Sequence, residues 1–215
     1  MQRTQGELVR EAVESRGLLY FGDVLDDVKD RLRRMEPKAR TALAAACASR
    51  LMASHVSLPT AEQRPLMLLW NDTLAVIWEA LFAEHSHSAI TRVRQSLETY
   101  RASPFTGGDG QDVPDNADDD AVAAAIHSAE SLCDSDSVAA FWAASRLVDW
   151  AFSQAEAEIE PPGSGYSGVE HFIEESAHPA VQRELERLLS GLSLLETRGT
   201  DAAVLERLHT SFVVG

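Results

Sequence analysis

"ARTALAAACASRLM", residues 39–52, is the stretch whose reading decides the fold. It holds no glycine or proline and a single β-branched residue, Thr41, and alanine dominates it. Alanine loses no side-chain entropy in a helix and has the highest helix propensity. Glu36-Pro37 precedes it, with Pro37 near the first helical position, where a missing N–H costs nothing. A helix is therefore expected from Pro37 to about Ser54. Leu43, Ala46, Cys47 and Leu51 fall on one stripe of period near 3.6. Small residues at Ala42, Ala45, Ala46 and Ala48 let neighbouring helices come close, and the expected large partners are Trp70, Trp78, Phe141, Trp142, Trp150 and Phe152. Packing of this kind explains the stretch without a ligand cavity.

Helical periodicity extends outward on both sides. Before the stretch, residues 4–16 and 22–34 read as short amphipathic helices broken near Gly17–Gly22. Val24, Leu25, Val28 and Leu32 repeat at helical spacing in the second. After it, helices are expected at about 60–84, 86–100, 119–132, 136–158, 168–177, 179–197 and 201–212. Pro179 disfavours α conformation at His178, and Gly199 separates the last two. No segment of strand period competes. The fold class expected is all-α: a single-domain bundle of about eight helices over residues 1–215, with a loop near residues 103–120. "TALAAA" (41–46) and "DAVAAA" (120–125), each followed by a tryptophan pair eight residues apart (Trp70/Trp78, Trp142/Trp150), suggest a weak two-half repeat, about 36–100 and 118–177.

Net charge is −15, and its placement says more than its size. Residues 102–182 hold sixteen acids and one base, Arg146, whereas the other residues hold eighteen of each. The loop "SPFTGGDGQDVPDNADDD" (103–120) concentrates Asp109, Asp112, Asp115, Asp118, Asp119 and Asp120. The last three suit a helix N-terminus, where carboxylates oppose the positive end of the dipole. Such a balance argues against nucleic acid and against an anionic membrane surface. It favours a basic protein partner, or serves solubility alone. The polar N-terminus "MQRTQGELVREAVESRG" lacks an apolar signal region, no run is long enough to span a bilayer, and two cysteines form no framework. A cytoplasmic protein is expected.

Two Glu-x-x-His spacings invite a metal reading, because helical bundles hold carboxylate-bridged metals on such pairs. Glu84/His87 and Glu175/His178 both lie at expected helix ends, where exposed residues near a helix terminus are the simpler account. The Asp-rich loop lacks the glycine and the order of a calcium-binding loop. Arg146 lies four residues from Trp142 and Trp150 and three from Asp149, so stacking on tryptophan and pairing with Asp149 are expected. No nucleophile elbow, phosphate loop or paired Cys/His occurs. Cys47 reads as a buried hydrophobe and His127 as a core or surface residue. No cofactor is implied.

"ALAAACASRLM" (42–52), the tryptophan-bearing helix at 60–84 and "HPAVQRELERLLSGLSLL" (178–195) together resemble the bacterial helical family catalogued as domain of unknown function 416 and related immunity proteins. Cys47, Ala48 and Arg50 match its C-A-E-R-like segment, with Ser49 where glutamate is usual. His178, Pro179, Gln182 and Glu184 match its late His-Pro, Q-x-E-like signature. The resemblance implies an all-helical fold rather than an activity, and carries over no catalytic residue.

The function expected is a non-enzymatic protein-interaction module, immunity- or antitoxin-like, that binds a basic partner through residues 102–182. A helical-bundle metal protein or enzyme using Glu84/His87 and Glu175/His178 is one alternative. A structural homo-oligomer built on the tryptophan-rich helices is another.

Overall fold

A computed structural model of the chain describes residues 4–55, 65–83, 87–102, 117–159 and 168–213. Among them every regular element is a helix: α1 (Gln5–Ser15), α2 (Phe21–Arg34), α3 (Pro37–His55), α4 (Pro65–Phe82), α5 (His87–Arg101), α6 (Ala117–Asp134), α7 (Ser137–Glu158), α8 (Gly168–Ala177), α9 (Pro179–Arg198) and α10 (Ala202–Val213). The all-α class expected from periodicity holds. The count is ten among the described residues rather than about eight, one helix for each of the ten segments of helical period. Each short segment is a helix in its own right because a local device turns the chain between neighbours. Gly17 and Gly199, both at φ 73°, follow α1 and α9, a left-handed conformation that only glycine adopts without cost. His178, in extended backbone before Pro179, separates α8 from α9.

Caps fix several starts. Thr4 and Glu7 exchange hydrogen bonds in a capping box at α1. The Asp136 carboxylate accepts from Val138 N at 2.8 Å at α7, and Asp201 accepts from Val204 N at 2.8 Å at α10. The α6–α7 corner is tighter. Ser135 sits at φ 55°, and Arg40 of α3 donates to its carbonyl at 3.0 Å.

α3 runs through the centre of the bundle. Residues 41–49 are buried without a break, as befits a helix that is apolar all round. α6 and α7 cover it most extensively, with α10, α4 and α9 closing the rest. α5 lies on α4 and α6, α2 on α7 and α9, and α8 on α1, α9 and α7. Part of the expectation of large residues against small holds: Trp78 of α4 donates from Nε1 to Ser49 Oγ of α3 at 2.9 Å, and the Trp150 ring of α7 lies beside Arg50 of α3. The two helices that cover α3 most are themselves alanine-rich, which the expectation left out: Ala121, Ala124, Ala125 and Ala129 on α6, and Ala139, Ala140, Ala143, Ala144, Ala151 and Ala155 on α7, are all buried. Small against small lets helix axes approach to the low end of the usual range, about 8 Å. Small polar groups survive there because they are satisfied locally. Thr41 Oγ1 meets Ser131 Oγ at 3.2 Å, and Ser128 Oγ donates to Ala124 O at 2.7 Å. Of the tryptophans, Trp70 and Trp78 of α4 are buried, whereas Trp142 of α7 is 46% exposed. Among the described residues no helix is long and apolar enough to cross a membrane.

Candidate functional site

The strongest concentration of charge in the interior lies where α3, α7 and α9 meet. Glu184 of α9 has a side chain only 3% exposed. Its Oε1 accepts from Arg50 Nε at 3.2 Å and Nη2 at 3.1 Å, across from α3. Arg187, one turn along α9, sets Nη1 against both carboxylate oxygens, at 2.5 and 2.6 Å. The Arg50 guanidinium lies 5.5 Å from the centroid of the Trp150 ring on α7, within cation–π range. One anion between two cations leaves a local charge of +1. Burying these groups costs several kcal/mol each in solvation, on the order that only charge-assisted hydrogen bonds of good geometry offset.

Neighbouring groups extend the junction. Gln182 precedes Glu184 in the first turns of α9 and is itself buried. Its amide nitrogen donates to Leu19 O at 2.9 Å and to Ser176 O at 2.8 Å, and its Oε1 accepts from Leu19 N at 2.9 Å. Three backbone groups, two in the α1–α2 connection and one near the end of α8, are thus satisfied by one side chain. Cys47 lies under the cluster, fully buried. Burial first, and then the Glu184 charge, push its thiol pKa well up, so it is an inert apolar filler rather than a nucleophile. Both oxygens of Glu184 are engaged by guanidinium groups. The arrangement locks three helices together and leaves no carboxylate oxygen poised for proton transfer.

The residues singled out in the sequence fall in several places. Asp109, Asp112, Asp115 and Glu84 lie outside the described residues. Asp118, Asp119 and Asp120 occupy the first turn of α6, as their charge suggested. Asp120 is 15% exposed and faces Arg146 Nη1 at 3.4 Å, so an ion pair inside the chain engages it. Arg146 also reaches Asp149 at 3.8 Å. The pairing with Asp149 is as expected. The cation on Trp150 is instead Arg50, brought from α3.

His87 opens α5 and is exposed, at the positive rather than the negative end of a helix. Glu175 pairs with His171 at 3.1 Å within α8. His178 caps α9 by accepting from Ala180 N at 3.3 Å through Nδ1, and turns Nε2 toward Glu158 at 3.4 Å. The structure therefore gives Glu175 and His178 different partners. Among the described residues no three His, Cys, Asp or Glu side chains are grouped to hold a metal. His127 is a partly buried partner of Glu130, at 3.0 Å.

The sequence reading missed the Arg50–Glu184–Arg187 cluster as a unit. Arg50 and Glu184 stand 134 residues apart, and no local spacing links them. The available signal was the family resemblance, whose matched residues Cys47, Arg50, Gln182 and Glu184 converge on this one junction. Ser49, standing where that family has glutamate, is buried and accepts from Trp78 Nε1 at 2.9 Å.

Together these features define an all-helical protein with a buried ionic junction and a net negative charge confined to residues 102–182. No protein-family model matches the chain. No curated protein matches it. Among solved structures, the crystal structure of a DUF416 family protein from Shewanella baltica OS155 is similar, with a TM-score of 0.61 at 14% identity over 86% of this chain and 92% of that one. At that identity the likeness is one of fold, and it agrees with the all-helical architecture expected from the resemblance.

Proposed function

We propose that this chain is a non-enzymatic protein-interaction module, related to the DUF416 family, whose acidic segment, residues 102–182, binds a basic protein partner as an immunity or antitoxin-like protein would. The observation that carries this reading is where the charge lies. Asp134, Asp136, Asp149, Glu156, Glu158 and Glu170 are exposed along α6, α7 and α8. The segment's one base, Arg146, is committed to Asp120 and Asp149. An excess of one sign raises the encounter rate with an oppositely charged partner and disfavours partners of like charge. The buried chemistry points the same way. The most concentrated ionic cluster is spent on joining helices, and Cys47 is sealed from solvent.

The test is capture from lysate of the source organism with the purified chain as bait, at low and at high salt. The expected result is a basic protein retained at low salt, released at high salt, and lost when Asp134, Glu156 and Glu158 are replaced by lysine. Retention that is indifferent to both salt and charge reversal would overturn the reading.

A further inference from the structure

α7 places its residues against the usual rule. Its inner positions are mostly alanine, Ala139, Ala140, Ala143, Ala144, Ala151 and Ala155, with Leu147 and Val148. Its outer face carries Trp142, 46% exposed, and Val138, 49% exposed one turn earlier. The core has no need of these two side chains, and leaving a tryptophan half in water forgoes burial worth about 25 cal/mol per Å² of apolar surface. The same stripe continues through Asp149, Ser153 and Glu156, all exposed, at spacings that keep them on one side of the helix. At its start lie exposed Asp134 and Asp136. Helices flank the stripe on both sides. Phe141 reaches toward α2, where Lys29 Nζ sits 5.4 Å from its ring centroid, and Arg146 reaches toward α6 to pair with Asp120. Phe141 and Trp142 lie 5.5 Å apart, so the exposed ring is backed by a half-buried one.

We propose that this face of α7 is a docking surface for a basic amphipathic segment of a partner protein, with Trp142 and Val138 as its apolar anchor and Asp134, Asp136 and Glu156 as its charged rim, Asp149 being already paired with Arg146. The proposal rests on the reading of the chain as the partner of a basic protein and names the surface that does the binding. Charge decides the occupant. An apolar centre with acids at both ends fits a segment that presents an aliphatic side chain between lysines or arginines. A second copy of this chain would bring the same carboxylates against these. From Val138 to Glu156 the stripe is about 27 Å long at 1.5 Å per residue, room for a partner helix of about five turns. A central tryptophan ringed by polar groups is the usual form of an energetic hot spot.

The experiment uses two synthetic tryptophan-free peptides of equal length and charge, one an amphipathic leucine/lysine helix and the other a serine/lysine sequence. Binding to the full chain is followed at low salt by fluorescence anisotropy of labelled peptide. The expected result is a preference of about tenfold for the leucine/lysine peptide, the scale of one aromatic anchor. Val138→Ala with Trp142→Ala should abolish that preference and keep binding to the serine/lysine peptide. Asp134→Lys with Glu156→Lys should weaken both. Unchanged preference in the double-alanine variant would overturn the docking surface while leaving the basic-partner reading intact. Failure of the wild-type chain to bind either peptide would overturn both. Light scattering on the same samples supplies a further arm. A wild-type dimer that the double-alanine variant converts to monomer would show that a second copy covers this face, and would overturn the proposal.

Discussion

Arg50 and Glu184, 134 residues apart, meet in the interior at 3.1 Å and tie the central helix α3 to α9. With Arg187 they form a triad in which each guanidinium depends on one carboxylate. Glu184→Gln would leave two part-buried cations facing a neutral amide. Loss of one partner from a buried ionic group typically costs about 3–5 kcal/mol, because the remaining charge is uncompensated. A clear fall in urea midpoint is expected. Replacing Arg50, Glu184 and Arg187 together by methionine should cost less than Glu184→Gln alone, since no charge is then stranded. Equal or additive losses across the series would show that the triad does not act as a unit.

That junction also marks the limit of what the sequence discloses. The helices were legible because apolar periodicity, Pro37, Pro179 and Gly199 are local signals, and the observed ends fall close to those expected except at α4, whose expected start near residue 60 lies outside the described residues. Asp149 as a partner of Arg146 was legible for the same reason, being three residues away. The Arg50–Trp150 contact and the pairing of Asp120 with Arg146 were not. Each depends on how helices far apart in sequence come to lie side by side, and periodicity records which face is buried without recording against what. The alanine pattern was legible only in part, for the same reason. It indicated close approach correctly, and the matching alanines on α6 and α7 were in view, but nothing local said that these faces meet.

Stability should decline in two steps as pH is lowered. Burial lowers the pKa of His209, which packs against Trp78 with centroids 4.6 Å apart and the rings tilted by 50°. A histidine whose folded pKa is depressed contributes stability above its unfolded value, near 6.5, that is lost as pH falls below it. Glu196, Glu174 and Glu130 are held below the ordinary carboxylate range by hydrogen bonds from Arg31, Arg16 and His127, respectively. Their contribution is present above the unfolded carboxylate value and disappears as pH falls through the folded one, opposed by Asp149 and Glu175, whose pKa values burial raises. Thermal melts across this range should show both declines. His209→Asn should remove the upper one, and Glu196→Gln should reduce the lower.

Ser135 is the one non-glycine residue at positive φ among those described, at 55°. An L-residue in the left-handed region carries a cost of roughly 1 kcal/mol that glycine avoids. Its carbonyl, which takes the Arg40 hydrogen bond, is backbone and survives substitution. Ser135→Gly should therefore raise the melting temperature by a few degrees, as a gain of about 1 kcal/mol would in a chain of this size. A lower melting temperature would mean that the added freedom of glycine in the unfolded chain outweighs the relief.

Gly191 poses the opposite case. It lies in the middle of α9, where alanine would ordinarily be favoured by about 1 kcal/mol. A Cβ there would stand 3.1 Å from Leu43 Cδ1, 3.1 Å from Phe212 Cε2 and 3.2 Å from Leu208 Cδ1. All three side chains are fully buried, and they come from α3 and α10. Relief on one side presses on another, and a closely packed core accommodates an added methyl only by moving backbone or forcing rotamers, at about 1–3 kcal/mol. The steric cost exceeds the helical gain, so Gly191→Ala should lower the urea midpoint. Leu208→Ala alone opens a cavity and is itself destabilising. In the double variant the new methyl occupies part of that space, so the pair should lose less than the sum of the two single changes. Strict additivity would show that Gly191 is not held by this contact.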